Sequence, residues 1–225
     1  MLHTRIFTFN PLGTNCIVAW QDGHGECVVV DPGMSSPEGC KDLTDFLQAG
    51  GLTPEAILLT HGHFDHIWGV ERLLGVYPGL KVYMHEADKG IMDQMTGGRY
   101  DMGFSFLKHD FPTIGLVDGE ILDIAGIQWK VIHTPGHSPG SVCFYDEADS
   151  LILCGDTLFA GSIGRTDLAG GDYDVLMDSI LHKVIVLPGD TDAIPGHGQP
   201  TTIGREGMTN PFLEPFNESM PDDYI

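Results

Sequence analysis

Apolar and polar positions change period several times along the chain, and each change marks an element. Three β-rich runs come first, Arg5 to Phe9, Asn15 to Trp20 and Glu26 to Val30, separated by Pro11-Leu12-Gly13 and Asp22-Gly23-His24-Gly25. Turn residues between such runs predict hairpins. A helix is expected from Ser36 to Gly50, opened by Ser-Ser-Pro-Glu, carrying apolar Leu43, Phe46 and Leu47, and stopped by Gly-Gly. A strand follows at 56–59. Ile67, Val70, Leu73, Leu74 and Tyr77 then recur at three- and four-residue steps, which predicts a helix from about Phe64 to Tyr77. Lys81 to Met84 reads as the next strand.

Residues 86–115 lack a period and hold Met92, Met95, Met102, Phe104, Phe106 and Phe111 around Gly97-Gly98. Such a stretch either lids a site or caps the core. The β pattern returns at Ile121 to Ile124, Ile127 to Ile132, Ser141 to Tyr145 and Leu151 to Leu153, and a helix is expected from Asp172 to about Ile185 before a short strand at Ala193-Ile194. The tail from Asn210 to Phe216 carries Pro211 and Pro215 and reads as an extended surface strap. Each half runs strands and then helix, so two sheets covered by helices is the economical α/β architecture. Neither an internal repeat nor a linker divides residues 1–225, which read as one domain.

Composition narrows the class. Hydrophobic residues make up 42% of the 225, as in soluble globular proteins. The start, Met1-Leu2-His3-Thr4-Arg5-Ile6-Phe7, lacks a secretory pattern and no apolar run reaches membrane-spanning length, so a cytoplasmic location is the expectation. Five cysteines without C-x-x-C spacing argue against a disulfide framework or a zinc finger and for reduced, structural thiols. The formal charge of −21 repels nucleic acid and anionic membranes. A small-molecule partner is expected, and an anionic one would need local cations or metals to hold it; oligomeric state is left open.

The chemistry concentrates in Thr60-His-Gly-His-Phe-Asp-His66. Composition alone would give H-x-H-x-D-H roughly 0.003 times in this chain. Side chains two apart on extended backbone point the same way, so His61 and His63 can share one metal ion. Asp65 and His66 fall in the first turn of the following helix and project elsewhere, which suits a second ion. Imidazole and carboxylate are ligands that zinc, iron and manganese accept. Three further polar residues stand in Gly/Pro turns after strands: His137 in Thr134-Pro-Gly-His-Ser-Pro-Gly-Ser141, Asp156 in Gly155-Asp-Thr157, and His197 in Ile194-Pro-Gly-His-Gly198. Asp31, in Asp31-Pro32-Gly33 after another strand, either forms its turn alone or orients a ligand histidine.

This set resembles the metallo-β-lactamase superfamily over nearly the whole chain. The resemblance implies a four-layer αββα sandwich with two divalent metal ions at one sheet edge, zinc first, with iron or manganese as alternatives. It implies that His61, His63 and His137 hold one ion and that Asp65, His66 and His197 hold the other, with Asp156 bridging. Asp65 and Asp156 would then also serve catalysis, Asp65 by orienting the attacking hydroxide and Asp156 by fixing the separation of the ions. Within the superfamily, Gly155 to Asp167 and Asn210-Pro-Phe-Leu213 are similar to the glyoxalase II-type hydrolases of the short bacterial type. The implied substrate is a small-molecule thioester such as S-D-lactoylglutathione. Gly198 to Ile225 follow His197, and against the longer enzymes, whose helical domain helps hold glutathione, the expectation is a chain without that domain.

The rival expectation is a mononuclear iron persulfide dioxygenase-like oxidoreductase, which shares the early motif and Gly164-Arg-Thr-Asp167. A class B1-type β-lactamase would carry Cys where Asp156 stands, and a tRNA-processing nuclease conflicts with the acidic charge. Arg165 and Asp167 either shape the rim or brace each other, and Lys89, Arg99 and Lys108 are candidate cations of a lid. His3, His24, His85, His109, His133 and His182 receive no role.

Overall fold

The computed structural model describes residues 1–96 and 110–214, with residues 94–96 described in backbone alone. Its first half runs β1 (Leu2–Phe9), β2 (Thr14–Gln21), β3 (Glu26–Val30), α1 (Pro37–Gly50), β4 (Thr53–Leu58), α2 (Phe64–Ile67), α3 (Val70–Val76), β5 (Lys81–Met84), α4 (Lys89–Thr96) and β6 (Ile114–Gly115). The strands form one sheet in that order, antiparallel through β3 and parallel from β3 to β6. The second half supplies β7 (Ile121–Ile124), β8 (Ile127–His133), β9 (Val142–Asp146), β10 (Leu151–Gly155), the small hairpin β11 (Leu158–Phe159) and β12 (Ser162–Ile163), α5 (Tyr173–Ser179), β13 (Asp192–Pro195), β14 (Thr201–Thr202) and α6 (Ile203–Thr209). Its main sheet has the order β14-β13-β10-β9-β8-β7, with β10 and β13 parallel.

Period-two alternation decides how the layers stack. Ile17, Ala19, Val28, Val30 and Leu58 of the first sheet are buried with Trp129, Val131, Phe144 and Leu153 of the second, forming the layer between the sheets. The intervening residues Cys16, Val18, Cys27, Val29 and Ile57 face outward, against Leu43 and Leu47 of α1 and Leu73 of α3. On the second sheet Cys143, Tyr145, Ile152 and Cys154 meet Leu176 and Met177 of α5. The result is the expected αββα sandwich. All five cysteines are free and buried, as small hydrophobes of these layers.

Local rules account for most boundaries. Ser36 caps α1 by accepting from the Gly39 amide, and Gly51 closes it in the left-handed conformation. The helix expected from Phe64 to Tyr77 is instead two helices. At the break the Gly69 amide donates to the Pro32 carbonyl at 2.7 Å, and a Cβ there would lie 1.8 Å from Met34 Sδ and 2.6 Å from Pro32 O. Close passage of the β3–α1 loop, which no helical period reports, forces the interruption.

The tail also departs from expectation. Thr202 caps α6, a helix that no apolar period announces. Asn210 is buried, and Leu213 packs in the outer layer beside α5, so the segment to Leu213 folds in rather than lying as a surface strap; Pro215 and Phe216 lie outside the described residues. Of the aperiodic segment, residues 86–96 form a 3-10 turn and α4, while Arg99, Met102, Phe104, Phe106 and Lys108 lie outside the described residues.

Gly69→Ala should destabilise the protein by about 1–3 kcal/mol, because Pro32 O is backbone and cannot yield as a side chain can. Gly75→Ala in α3, where a Cβ meets nothing within 4 Å among the described residues, should stabilise it by about 0.5–1 kcal/mol. Denaturant unfolding of the two variants beside the parent checks both signs.

Candidate metal centre

Four loops at one edge of the sandwich carry the seven singled-out residues. Parallel β3 and β4 end at this edge, as do parallel β10 and β13, so the loops after β4, β10 and β13 open toward one another. Extended backbone through His63 (φ −69°, ψ 144°) leads into α2, which puts Asp65 and His66 in its first turn. His137 lies between β8 and β9, Asp156 directly after β10, and His197 after β13. All but His197 and Asp156 are deeply buried, and these two remain only partly exposed.

The hydrogen bonds fix which imidazole nitrogens face inward. Thr60 Oγ1 donates to Asp31 Oδ2 at 2.6 Å and so accepts from His61 Nδ1 at 3.0 Å. His137 Nδ1 donates to the Arg165 carbonyl at 2.7 Å. Both Nε2 atoms therefore carry lone pairs, and they face each other 3.3 Å apart. His63 Nδ1 lies 2.8 Å from His137 Nε2, while His63 Nε2 has no hydrogen-bond partner among the described residues. Buried lone pairs turned on one another repel unless a cation lies between them.

A second set repeats the arrangement. His66 Nδ1 donates to Asp31 Oδ2 at 2.9 Å and His197 Nδ1 to the Leu12 carbonyl at 3.1 Å, leaving their Nε2 atoms 3.3 Å apart. Asp65 Oδ2 lies 3.3 Å from His197 Nε2 and 3.5 Å from His66 Nε2. Asp156 sits between the sets, with Oδ1 3.5 Å from His66 Nε2 and Oδ2 3.5 Å from His137 Nε2 and 3.6 Å from His197 Nε2. Its Oδ1 is a buried acceptor without a hydrogen-bond donor among the described residues.

Donor atoms of His61, His63 and His137 lie within 4.8 Å of one another, as do those of Asp65, His66 and His197. Asp31, His61 and His66 satisfy the same distance, but the Asp31 oxygens are engaged by the Thr60 amide and hydroxyl and by His66. Asp31 thus orients His66, one of the two readings its turn allowed, and does so at a positive φ of 47°. Orphaned acceptors and inward lone pairs of nitrogen and oxygen fit two divalent cations of the zinc, iron or manganese kind.

The electrostatics are lopsided. Burial, reinforced by the neighbouring imidazoles, holds His61 well below its ordinary pKa, and burial with His137 lowers His63 to about 3. Burial opposes charge on His66 as well, yet Asp65, Asp156 and Asp31 outweigh it and raise His66 to about 10. Burial likewise works against ionised Asp65, but His66, His197 and the Thr14 hydroxyl hold its pKa below the usual range. The field that draws a proton to His66 would draw a metal cation in its place, releasing the proton.

Residues without a motif signal complete the frame. Thr14 Oγ1 donates to Asp65 Oδ2 at 2.7 Å, and Asn10 Nδ2 to the Asp65 carbonyl at 3.1 Å. Asn15 Nδ2 donates to the Pro195 and Gly198 carbonyls, clamping the His197 turn. Within that turn a Cβ on Gly196 would lie 2.3 Å from Asp156 Oδ1, so glycine is required there. Their only trace in the sequence is the polar cluster Asn10, Thr14 and Asn15 beside a hairpin turn.

A cavity of about 410 Å³ opens over the site, its polar floor made of His63, Asp65, His137, Asp156 and His197 and its walls largely of Leu12, Phe64, Phe159, Ile163 and Leu168. Arg165 lines it too, with its guanidinium bound by Asp167 at 2.7 and 2.8 Å; the pair both braces its loop and stands at the rim. Lys89 is an exposed partner of Glu86, and His85 stacks on His133 rather than joining the cluster.

The model of the metallo-beta-lactamase superfamily matches residues 9–197. The chain belongs to the metallo-beta-lactamase superfamily. Relatives within the superfamily align nearly end to end. The hydroxyacylglutathione hydrolase GloC of Haemophilus influenzae is 34% identical, over 94% of this chain and 98% of its own. The crystal structure of the BLEG-1 B3 metallo-beta-lactamase superposes with a TM-score of 0.85 at 38% identity, covering 94% of this chain and 99% of that one. TTHA1623, solved in a di-iron-bound form, gives 0.82 at 39%, covering 93% and 100%.

Stripping metal with a chelator and restoring zinc, iron or manganese should raise the thermal midpoint by several degrees. An ion at 100 times its Kd adds about 2.7 kcal/mol to stability. Scanning calorimetry checks this; a midpoint indifferent to all three metals would contradict the ligand assignment.

Proposed function

We propose that this chain is a dinuclear metal-dependent hydrolase that cleaves thioesters of small molecules, with hydroxyacyl thioesters such as S-D-lactoylglutathione as the first candidates. One observation carries the reading: two donor sets, each with its own hydrogen-bonded frame, share Asp156 on the floor of a cavity whose walls are largely apolar. Two divalent ions, when bound there, supply Lewis acidity that brings water toward ionisation near pH 7 and polarises an acyl carbonyl.

The protein's own groups would do the rest. Asp65, kept anionic and fixed by Thr14, accepts a hydrogen bond from the attacking water at Oδ2 and turns it toward the acyl carbon. Asp156 keeps the two donor sets together. Phe159, Ile163 and Leu168 cover the acyl group and exclude bulk water. Ser162, a hydroxyl lining the cavity, bonds to the Ile163 carbonyl and has no described histidine beside it, so no side-chain nucleophile is activated among the described lining residues. An anionic Asp65 is a poor proton donor. That favours a leaving group departing without a proton, as a thiolate does more readily than an alkoxide. The GloC relative supports the same substrate class, and the di-iron neighbour keeps iron beside zinc and manganese as the metal.

The mononuclear iron alternative would leave Asp65, His66 and His197 idle, although Thr14, Asp31 and the Leu12 carbonyl orient all three. The test is thiol release from a panel of glutathione and other thioesters by zinc-, iron- and manganese-loaded protein. Hydrolysis is expected, and Asp65→Ala should lower kcat by about 10²–10⁴-fold. Inert thioesters and esters, or one iron per chain with sulfite formed from a persulfide, would overturn the reading.

A further inference from the structure

One buried carboxylate outside the ligand sets reaches the loops of the first of them. Asp88 is fully buried in the turn Glu86–Asp88 that leads into α4. Its Oδ2 accepts from the Gly62 amide at 2.7 Å and from Ser138 Oγ at 2.7 Å, and its Oδ1 accepts from the Gly140 amide at 2.6 Å. Gly62 stands between His61 and His63, and Ser138 follows His137. One carboxylate thus joins the two loops that carry the first donor set: it holds the first at Gly62, between His61 and His63 and ahead of His66, and the second beside His137.

The approach is close enough to select residue types. A Cβ on Gly62 would lie 2.9 Å from the Asp88 carbonyl oxygen, and one on Gly140 would lie 2.7 Å from Asp88 Oδ1 and 2.8 Å from its amide nitrogen. Ser138 Oγ is also 2.7 Å from Ser141 Oγ, so the second loop is braced around the same point. Asp31, by contrast, reaches both sets, His66 directly and His61 through the Thr60 hydroxyl.

We infer that Asp88 is a positioning residue specific to the His61–His63–His137 ion: it sets the separation of the two ligand loops and hence the affinity of that ion, not of its neighbour. The inference rests on the two-ion reading above. Asparagine at 88 cannot replace the carboxylate. It has one acceptor oxygen, so whichever way it turns, its NH₂ faces either the Gly62 or the Gly140 amide and leaves a buried donor unpaired.

The test uses the full chain, stripped of metal and titrated with zinc against a competing chelator, in two backgrounds. His197→Ala retains the first donor set intact, and His137→Ala retains the second. Asp88→Asn should weaken zinc about 10–100-fold in the first background and leave it unchanged in the second, with Ser138→Ala giving a smaller loss of the same selectivity. Should Asp88→Asn fail to fold, Ser138→Ala decides by itself. Equal losses in both backgrounds would mean a general packing role and overturn the inference, as would no loss in either. A wild-type chain that takes up a single zinc would overturn the two-ion reading alone, and the comparison in the His197→Ala background still decides the role of Asp88.

Discussion

Burying charge is the constraint around which this molecule is arranged. Asp31, Asp65 and Asp88 are almost wholly removed from water, and Asp156 is nearly so. An ionised carboxylate in such a place costs several kcal/mol unless its lone pairs are met. The fold meets most of them with its own donors: amides of Thr60, Gly62 and Gly140, hydroxyls of Thr14, Thr60 and Ser138, and the His66 ring. What remains is concentrated at one point, where the inward nitrogens of five imidazoles converge with Asp65 and Asp156. Asp31 and Asp88 are satisfied by protein donors; the point itself calls for cations.

This arrangement requires loops with little freedom. Parallel strand pairs in both sheets bring the loops to one edge, and the apolar layer between the sheets holds their ends rigid. The polar frame then fixes each loop from behind: Asn15 on the His197 turn, Asp31 on His66, Thr60 on His61, the Arg165 carbonyl on His137. Such support holds ligands in place before a metal arrives, so less ordering has to accompany binding.

Much of this was legible in the chain itself. Period-two alternation and helix caps mark the longer strands and α1, though not the two-residue strands β6, β11, β12 and β14, and seven His and Asp residues in turns after strands mark the edge where they meet. The parts that escaped are those where tertiary contact overrides local pattern. The spacing over 64–77 predicts one continuous helix because the passage of Pro32 and Met34 under Gly69 leaves no mark on helical period. Helix α6 is short and flanked by turn residues, and its cap, Thr202, reads equally as loop. Asp88, Thr14 and Asn10 serve the site from positions outside any motif. In sequence Asp88 is one more acid among 32 acidic residues, and only the donors facing it set it apart.

X-ray absorption at the metal edge of reconstituted protein would probe the centre most directly. Two ions sharing Asp156 should give a metal–metal scattering vector at about 3.5–4 Å together with imidazole shells. A spectrum with the imidazole shells of a single ion and no metal–metal vector, from protein saturated with metal, would contradict the two-ion centre.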